Sequence, residues 1–397
     1  MPASVVAARY GTVEAMPRVL DVSIDQQRRD RTSIKWRLWP DVLPLWVAEM
    51  DARPCGPVVD AVTDAMLRGD TGYTLGTDYI DAFDSWAGDA WGWSLHGLRA
   101  QVVGDVMSGV VEAIRLVTTH GGPVVISPPV YDSFYLAVRG TGRRVVEAPL
   151  AGSASEGYRL DAGALERAFV EATRDGEPAA YLLCNPQNPT GTVHTRAELD
   201  LLAGLAARHG VRVIADEIHA PLVYLPAEFV PYLTVDPTAV AIHSPSKGWN
   251  LAGLKSALYL VGADEETAFP QVAEIFTHAA SHLGVIAHTA ALRDGREWLA
   301  DLMDDLDTNR TLLARLLADR LPGVGYHLPD ATYLAWLDLR ALDLGDDPAV
   351  ALRERAGVAL SSGPNYWPEG GKGFARLNFA TSPDIITEAI DRIARAV

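Results

Sequence analysis

The chain has 397 residues, with 34 Lys and Arg against 51 Asp and Glu, a formal net charge of -17 at pH 7. This length supports a large core divided between two domains, and an acidic chain without a basic cluster is a poor partner for nucleic acid or an anionic membrane. Cys55 and Cys184 are far apart and lack C-x-x-C or Cys/His ligand spacing, and the ten His are scattered, so disulfides and bound metal are not expected. No apolar run approaches bilayer length and the N-terminus lacks a basic region followed by an apolar stretch, which leaves the cytoplasm as the expected compartment.

In chain order, residues 1–44 read as an irregular arm, with Arg28-Arg-Asp-Arg31 as a solvated charge run. Over residues 45–290 short apolar strands alternate with helical patterns, which predicts a large α/β domain with a mostly parallel sheet covered on both faces. A long helical stretch over residues 291–321 follows, its leucines reading as core. Strand candidates at 333–339 and 375–379 around a helix then predict a smaller α+β domain, residues 291–397, completed by the N-terminal arm. The turn Pro368-Glu-Gly-Gly-Lys372 reads as a mobile loop, a lid beside Arg376.

Three strand ends carry polar clusters. The apolar run Ala179-Ala-Tyr-Leu-Leu-Cys184 leads into Asn185-Pro-Gln-Asn-Pro-Thr-Gly191, and a helix is predicted over 196–208 with Thr195 as N-cap and Gly210 past its end. The run Val211-Arg-Val-Ile-Ala-Asp216-Glu-Ile-His219 ends on a carboxylate. The third, Ala239-Val-Ala-Ile242, precedes Ser244-Pro-Ser-Lys247, with Lys255 a little further on. In an open α/β sheet ligands gather at the carboxyl ends of the strands, where all three clusters would lie. A lysine there, two hydroxyls and a second cation are what a phosphorylated aldehyde needs: an amine for the carbonyl carbon, donors and charge for the phosphate. Pyridoxal 5'-phosphate fits this set, with Ser244, Ser246 and Lys255 toward the phosphate, Lys247 toward the aldehyde, Asn188 toward the phenolate oxygen and Asp216 toward the ring nitrogen.

The ordered set resembles fold-type I pyridoxal-phosphate enzymes of the class I/II aminotransferase superfamily. The carriers are Asn185 to Gly191, Asp216-Glu-Ile-His219, Ser244-Pro-Ser-Lys247 and Arg376-Leu-Asn378. Within it, Ser33-Ile-Lys-Trp36, Leu43-Pro-Leu-Trp-Val-Ala-Glu-Met-Asp51, Lys247-Gly-Trp-Asn-Leu-Ala-Gly-Leu-Lys255 and Gly373-Phe-Ala-Arg-Leu-Asn-Phe379 resemble the cystathionine β-lyase (C-S lyase) branch of the MalY/PatB kind. The resemblance runs from about Asp25 onward and implies a seven-stranded large domain and a homodimer with shared active sites.

By position, the resemblance implies that Lys247 binds the cofactor aldehyde and serves as base, and that Asn188, Asp216 and His219 hold the ring's polar atoms. It implies that Tyr131 stacks on the ring and that Ser108-Gly109-Val110 seat the phosphate where a helix begins, since free N–H groups there favour anions. Tyr73 is expected to reach the partner's site, Arg376 to grip the substrate α-carboxylate with its fork, and Trp36 to line the substrate side. Ala52-Arg53, Cys55-Gly56, Asn365-Tyr-Trp367 and Ala380-Thr381 depart from the branch pattern on the substrate side.

The expected reaction is β-elimination of cystathionine or an L-cysteine S-conjugate, a small sulfur amino acid, to a thiol, pyruvate and ammonia. An aminotransferase shares the cofactor and base and is the nearest alternative. A regulatory binding protein is the alternative from another class, with the intact lysine, aspartate and arginine against it.

Overall fold

The structure is a computed structural model and describes residues 18–262 and 272–397, so residues 1–17 of the arm lie outside the described residues. Seven strands build the main sheet: β1 (Leu98–Val103), β2 (Pro123–Ile126), β3 (Arg144–Glu147), β4 (Ala179–Cys184), β5 (Val211–Asp216), β6 (Val240–His243) and β7 (Ala257–Gly262). They lie in the order β1-β7-β6-β5-β4-β2-β3. β7 runs antiparallel to both neighbours and the remaining pairs are parallel. This is the mostly parallel, seven-stranded α/β sheet expected from the sequence.

β4 shows why its sequence is an uninterrupted apolar run. Ala179, Tyr181 and Leu183 pack into one core, and Ala180, Leu182 and Cys184 into the other. Successive strand residues point to opposite faces, and a sheet covered on both faces has no side to leave polar. One cover is the helix Val106–Val117. A Cβ at its Gly109 would lie 3.2 Å from Ile242 Cδ1, so glycine sets how closely this helix approaches β6. The register pairs Cys184 with Asp216 and Asp216 with Ile242, so β4, β5 and β6 end level with one another.

Beyond the main sheet, strands Leu334–Asp338, Phe374–Asn378 and Ser361–Ser362 form a small antiparallel sheet, packed with helices Arg296–Arg320, Pro348–Ala356 and Pro383–Ala396. The short strand Leu43–Pro44 joins this smaller unit by parallel pairing with Val358–Ala359.

Four sequence expectations differ from the structure. The arm is not irregular over its described part: Ser23 caps the helix Ile24–Asp30, and a short helix Ile34–Arg37 follows. Nor is its charge run wholly solvated, because Arg31 donates to Gln27 Oε1 at 2.9 Å and to the Ala52 carbonyl at 2.6 Å. The long helical stretch is split into His282–Asp294 and Arg296–Arg320. Trp249 Nε1 donates to the Gly295 carbonyl at 2.8 Å, and a Cβ there would lie 2.8 Å from that same nitrogen, so the indole fits only against glycine. The 368–372 turn is packed rather than loose. Gly371 N–H donates to the Trp367 carbonyl at 2.8 Å, and a Cβ on Gly371 would lie 2.3 Å from the Gly363 carbonyl oxygen.

His288 lies fully buried on the helix His282–Asp294, its ring 5.6 Å from Tyr79 and both ring nitrogens without a partner. Burial pushes its pKa down to about 3 from 6.5. Between those values the unfolded chain binds a proton that the folded one refuses, so stability is lost as pH falls through that window. We expect His288→Leu to flatten this acid limb of a urea-midpoint-against-pH curve by about one proton; an unchanged slope would show that His288 does not drive it.

Candidate active site

The level ends of β4, β5 and β6 put three loops side by side. A cleft with about 710 Å3 of empty space, solvent at its mouth included, opens there, and Lys247, Asp216, Asn188, Tyr131, Ser246 and Lys255 all line it. Ala48, from the segment after Leu43–Pro44, and His219 close its wall.

Lys247 is the centre of this cleft. Its Nζ donates to the Ala48 carbonyl at 2.8 Å. Burial, then the nearby Arg376 charge, lowers its pKa to about 8, with Asp216 and Glu49 pulling the other way. An amine so placed is substantially neutral near pH 8 and can attack a carbonyl or take a proton. Asp216 is buried at the end of β5, and burial raises its pKa to about 7 although the Ile218 N–H, 3.1 Å away, and Lys247 favour the carboxylate. His219 is held well below the ordinary imidazole value by burial and by the charges of Lys247 and Arg376, so it is neutral, and its Nδ1 has no partner.

The Asn185 to Gly191 turn is tied to the loop after β2. Gln187 Nε2 donates to the carbonyls of Ser127 at 3.1 Å and Pro129 at 2.8 Å, which seats Tyr131 beside Asn188. Asn188 Oδ1 accepts from Arg376 Nη1 at 3.1 Å, so only its N–H2 remains to offer a ligand. Arg376 is 4% exposed, its Nη2 donates to the Trp46 carbonyl at 2.8 Å, and its guanidinium lies 4.9 Å from the Tyr366 ring centroid. Its Nε is buried without a partner. A buried guanidinium N–H with no acceptor costs free energy until an anion meets it.

Ser108-Gly109-Val110, expected to seat a phosphate, do not line the cleft. Asp105 caps the helix Val106–Val117: its carboxylate accepts from Ser108 N–H at 2.7 Å while Ser108 Oγ accepts from Asp105 N–H at 2.9 Å. Ser108 therefore caps its own helix, Gly109 and Val110 are packing residues, and the cleft is lined by Asp105, Val106 and Met107. The N–H groups of Val106 and Met107 have no acceptor within the helix. Lys255 Nζ is 3.0 Å from Asp105 Oδ2. Burial would raise the Asp105 carboxyl, yet the Ser108 N–H and Lys255 outweigh it and hold the group below the usual range.

Three other expected residues sit elsewhere. Ser244 is 5% exposed and donates to the Ser256 carbonyl at 2.8 Å, bracing the lysine loop instead of facing the cleft. Trp36 is buried behind the substrate side, with Nε1 donating to Asp51 Oδ1 at 2.8 Å. Tyr73 is 90% exposed and outside the cleft of its own chain. The sequence reading missed Ala48, Asp105, Val106 and Met107. Asp105 carried a usable signal, an N-cap residue directly after a strand, whereas a backbone acceptor such as Ala48 leaves none.

The donor set fits pyridoxal phosphate: an amine for the aldehyde, helix-start N–H groups with Ser246 and Lys255 for the phosphate, and an orphaned guanidinium N–H for a substrate carboxylate. The α/β sheet with this cleft at its carboxyl edge is the fold-type I arrangement of pyridoxal-phosphate enzymes. Residues 86–393 match the family of class I and II aminotransferases, and the chain belongs to it. A Mycobacterium tuberculosis relative provisionally named cystathionine beta-lyase is 47% identical over 401 residues, covering 95% of this chain and 97% of its own. The cystathionine beta-lyase of Corynebacterium glutamicum is 32% identical over 375 residues, covering 93% of this chain and 98% of its own. A solved structure from Corynebacterium diphtheriae, described provisionally as a pyridoxal-phosphate-dependent beta-cystathionase, is 33% identical with a TM-score of 0.86, covering 96% of this chain and 99% of that one.

Asp216 makes the cofactor-free protein sensitive to pH. Its carboxyl loses a proton near 3.8 when unfolded and near 7 when folded, so in that window the folded state binds the extra proton and stability falls as pH rises. Denaturant titrations of the apoprotein should show wild type losing about 4 kcal/mol more than Asp216→Asn between these limits. Parallel curves would mean that Asp216 is ionised throughout.

Proposed function

We propose that the chain is a pyridoxal-phosphate-dependent carbon-sulfur β-lyase acting on cystathionine or another L-cysteine S-conjugate. The observation that carries this reading is the buried Lys247 amine, with its pKa at about 8, in one cleft with Asp216 and Asn188, the last of which is bonded to Arg376. The names of the relatives at 32% and 47% identity support elimination over transamination.

Lys247 would hold the cofactor by its aldehyde and become a free amine once the substrate's own amine takes its place there, and the bound cofactor would supply a sink for the electron pair released at the substrate Cα. Asn188 N–H2 and the neutral His219 ring hold polar atoms of the cofactor ring, and Tyr131 covers its face. Asp216 keeps a proton on the ring nitrogen, and that charge-assisted bond draws its own pKa down from the value it has alone. Val106, Met107, Ser246 and Lys255 hold the phosphate. Arg376 binds the α-carboxylate and so aims the Cα–H bond at Lys247, which takes the proton. With the cofactor bound, the overall change would break the Cβ–S bond with its electron pair on sulfur, the proton on Lys247 being available to the leaving thiolate, and with water would give thiol, pyruvate and ammonia.

The domains divide at residues 44/45 and 290/291 in this reading, and the enzyme works in the cytoplasm. The protein acts as a homodimer. Leu67, Tyr73, Leu75 and Ile275 are exposed apolar side chains that a partner would cover, and Tyr73 serves the partner's site.

Purified protein given pyridoxal phosphate and L-cystathionine, or an S-alkyl-L-cysteine, should release thiol and pyruvate together. Lys247→Ala should release neither; keto acid formed without thiol would identify a transaminase instead. The shared site is tested by mixing Tyr73→Ala with Lys247→Ala subunits, each inactive alone. Hybrid dimers hold one intact site, so a random equal mixture should recover about a quarter of wild-type activity. No recovery would mean that Tyr73 serves the site of its own chain, and full activity of Tyr73→Ala alone would place Tyr73 outside the site.

A further inference from the structure

The motif around Ser33 to Trp36 and Trp46 to Asp51 contributes no side chain to the chemistry above, yet it is heavily bonded. Lys35 Nζ lies 2.9 Å from Asp51 Oδ1 with side chains 0% and 1% exposed. The same Nζ donates to the Glu49 carbonyl at 2.9 Å, and Trp36 Nε1 donates to Asp51 Oδ1 at 2.8 Å. Gln27 Nε2 adds a bond to the Asp51 carbonyl at 3.1 Å, and Ser33 Oγ one to Glu49 Oε1 at 2.7 Å. Residues 46–50 are thus strapped down at one end.

The strap's carbonyls go to the site in alternation. Those of Trp46 and Ala48 accept from Arg376 Nη2 and Lys247 Nζ, both at 2.8 Å, while those of Val47 and Glu49 accept from Asn378 Nδ2 at 2.6 and 2.7 Å. Tyr333 OH also donates to the Ala48 carbonyl, at 3.0 Å, and Asn250 bonds both the N–H and the carbonyl of Met50 at 2.9 Å. One short segment therefore touches both the amine and the guanidinium.

A buried ion pair is weak evidence of stability, because apolar residues of equal volume hold a core as well or better. What it adds is direction: an ammonium with fixed acceptors admits one placement. Composition points the same way. Only four of the 34 Lys and Arg residues are lysines, Lys35, Lys247, Lys255 and Lys372. In a chain that otherwise uses arginine, position 35 holds a compact ammonium that can meet Asp51 and a carbonyl from one nitrogen, which a planar guanidinium cannot copy.

We propose that Lys35 and Asp51 are positioning residues: their buried pair fixes the 46–50 strap, whose Trp46 and Ala48 carbonyls set the separation and orientation of Arg376 and Lys247. The proposal rests on the lyase reading for the roles of those two groups. In this view the branch motif is a backbone ruler between the proton-abstracting amine and the carboxylate grip. A strap that slides by a fraction of a residue leaves both groups present and wrongly spaced.

The test uses Lys35→Met/Asp51→Asn, which removes both charges, keeps an acceptor for Trp36 and cannot remake the bond to the Glu49 carbonyl. Lys35→Met alone leaves Asp51 unpaired, and Leu302→Ala, in a fully buried position of the helix Arg296–Arg320, is a matched core defect. Thermal midpoint, kcat and KM on the cysteine conjugate are read on each holoenzyme. In each apoprotein, the pH dependence of Lys247 acylation is followed by peptide mass spectrometry.

The double variant should be at least as stable as Leu302→Ala, with kcat/KM about 100-fold below wild type. Its Lys247 titration midpoint should move down, because a carbonyl acceptor favours the ammonium over the amine. Lys35→Met should lose stability as well. Wild-type kcat/KM and an unmoved Lys247 midpoint in the double variant, or losses no greater than those of Leu302→Ala, would overturn the proposal. Absence of thiol release from wild type would instead remove the lyase reading, while Lys247 acylation still tests the strap.

Discussion

Three parallel strands ending at the same height are the constraint on which this site depends. The pairing of Cys184 with Asp216 and of Asp216 with Ile242 fixes that height by backbone hydrogen bonds alone. Each strand then delivers a different chemical type to one edge: an amide from the turn after β4, a carboxylate from the last residue of β5, an amine from the loop after β6. A slip of one residue would turn Asp216 toward the opposite face. The reversed strand β7 completes the set. Because it starts at the edge where β6 ends, the intervening loop stays local and presents Lys247 and Lys255 together.

The electrostatics of the cleft follow from crowding charge where water is scarce. Lys247 and Lys255 share the cleft with Asp216 and Asp105, while burial, and then the charges of Lys247 and Arg376, keep His219 neutral. Burial works against both charged forms, lowering Lys247 to about 8 and raising Asp216 to about 7. An anionic ligand reverses part of that cost. The helix-start N–H groups of Val106 and Met107 and the Nε of Arg376 lack acceptors, so donors are offered to an anion at two separate places.

Much of this was legible in the sequence for a physical reason. Strands buried on both faces read as apolar runs, and the polar residues that interrupt such runs at their carboxyl ends stand out: Asn188, Asp216, Lys247. The mostly parallel sheet was legible by the same route, while its count of seven strands came with the family resemblance. Ser108 looks like a ligand donor in the sequence, whereas in the structure Asp105 makes it a capping partner. Ser244 and Trp36 were assigned to the ligand because hydroxyls and indoles near a site invite that role; their hydrogen bonds to Ser256 and Asp51 are invisible without coordinates. Gly295 and Gly371 show the same limit, since only the approach of Trp249 or Gly363 explains them. Backbone acceptors were the least legible, because every residue carries the same carbonyl.

The strap has a consequence for synthesis. Trp46 and Arg376 are bonded across a separation of 330 residues. A chain made from its N-terminus therefore produces one wall of the cleft early and holds its carbonyls without their final donors until the strand Phe374–Asn378 emerges. Long-range closure of this kind comes late and at an entropic cost. The main sheet, β1 to β7, is complete in sequence well before that strand, so a growing chain can form the sheet and its lysine loop while the substrate end of the site does not yet exist. Competence to grip an amino acid then arrives in one step, with the last antiparallel strand.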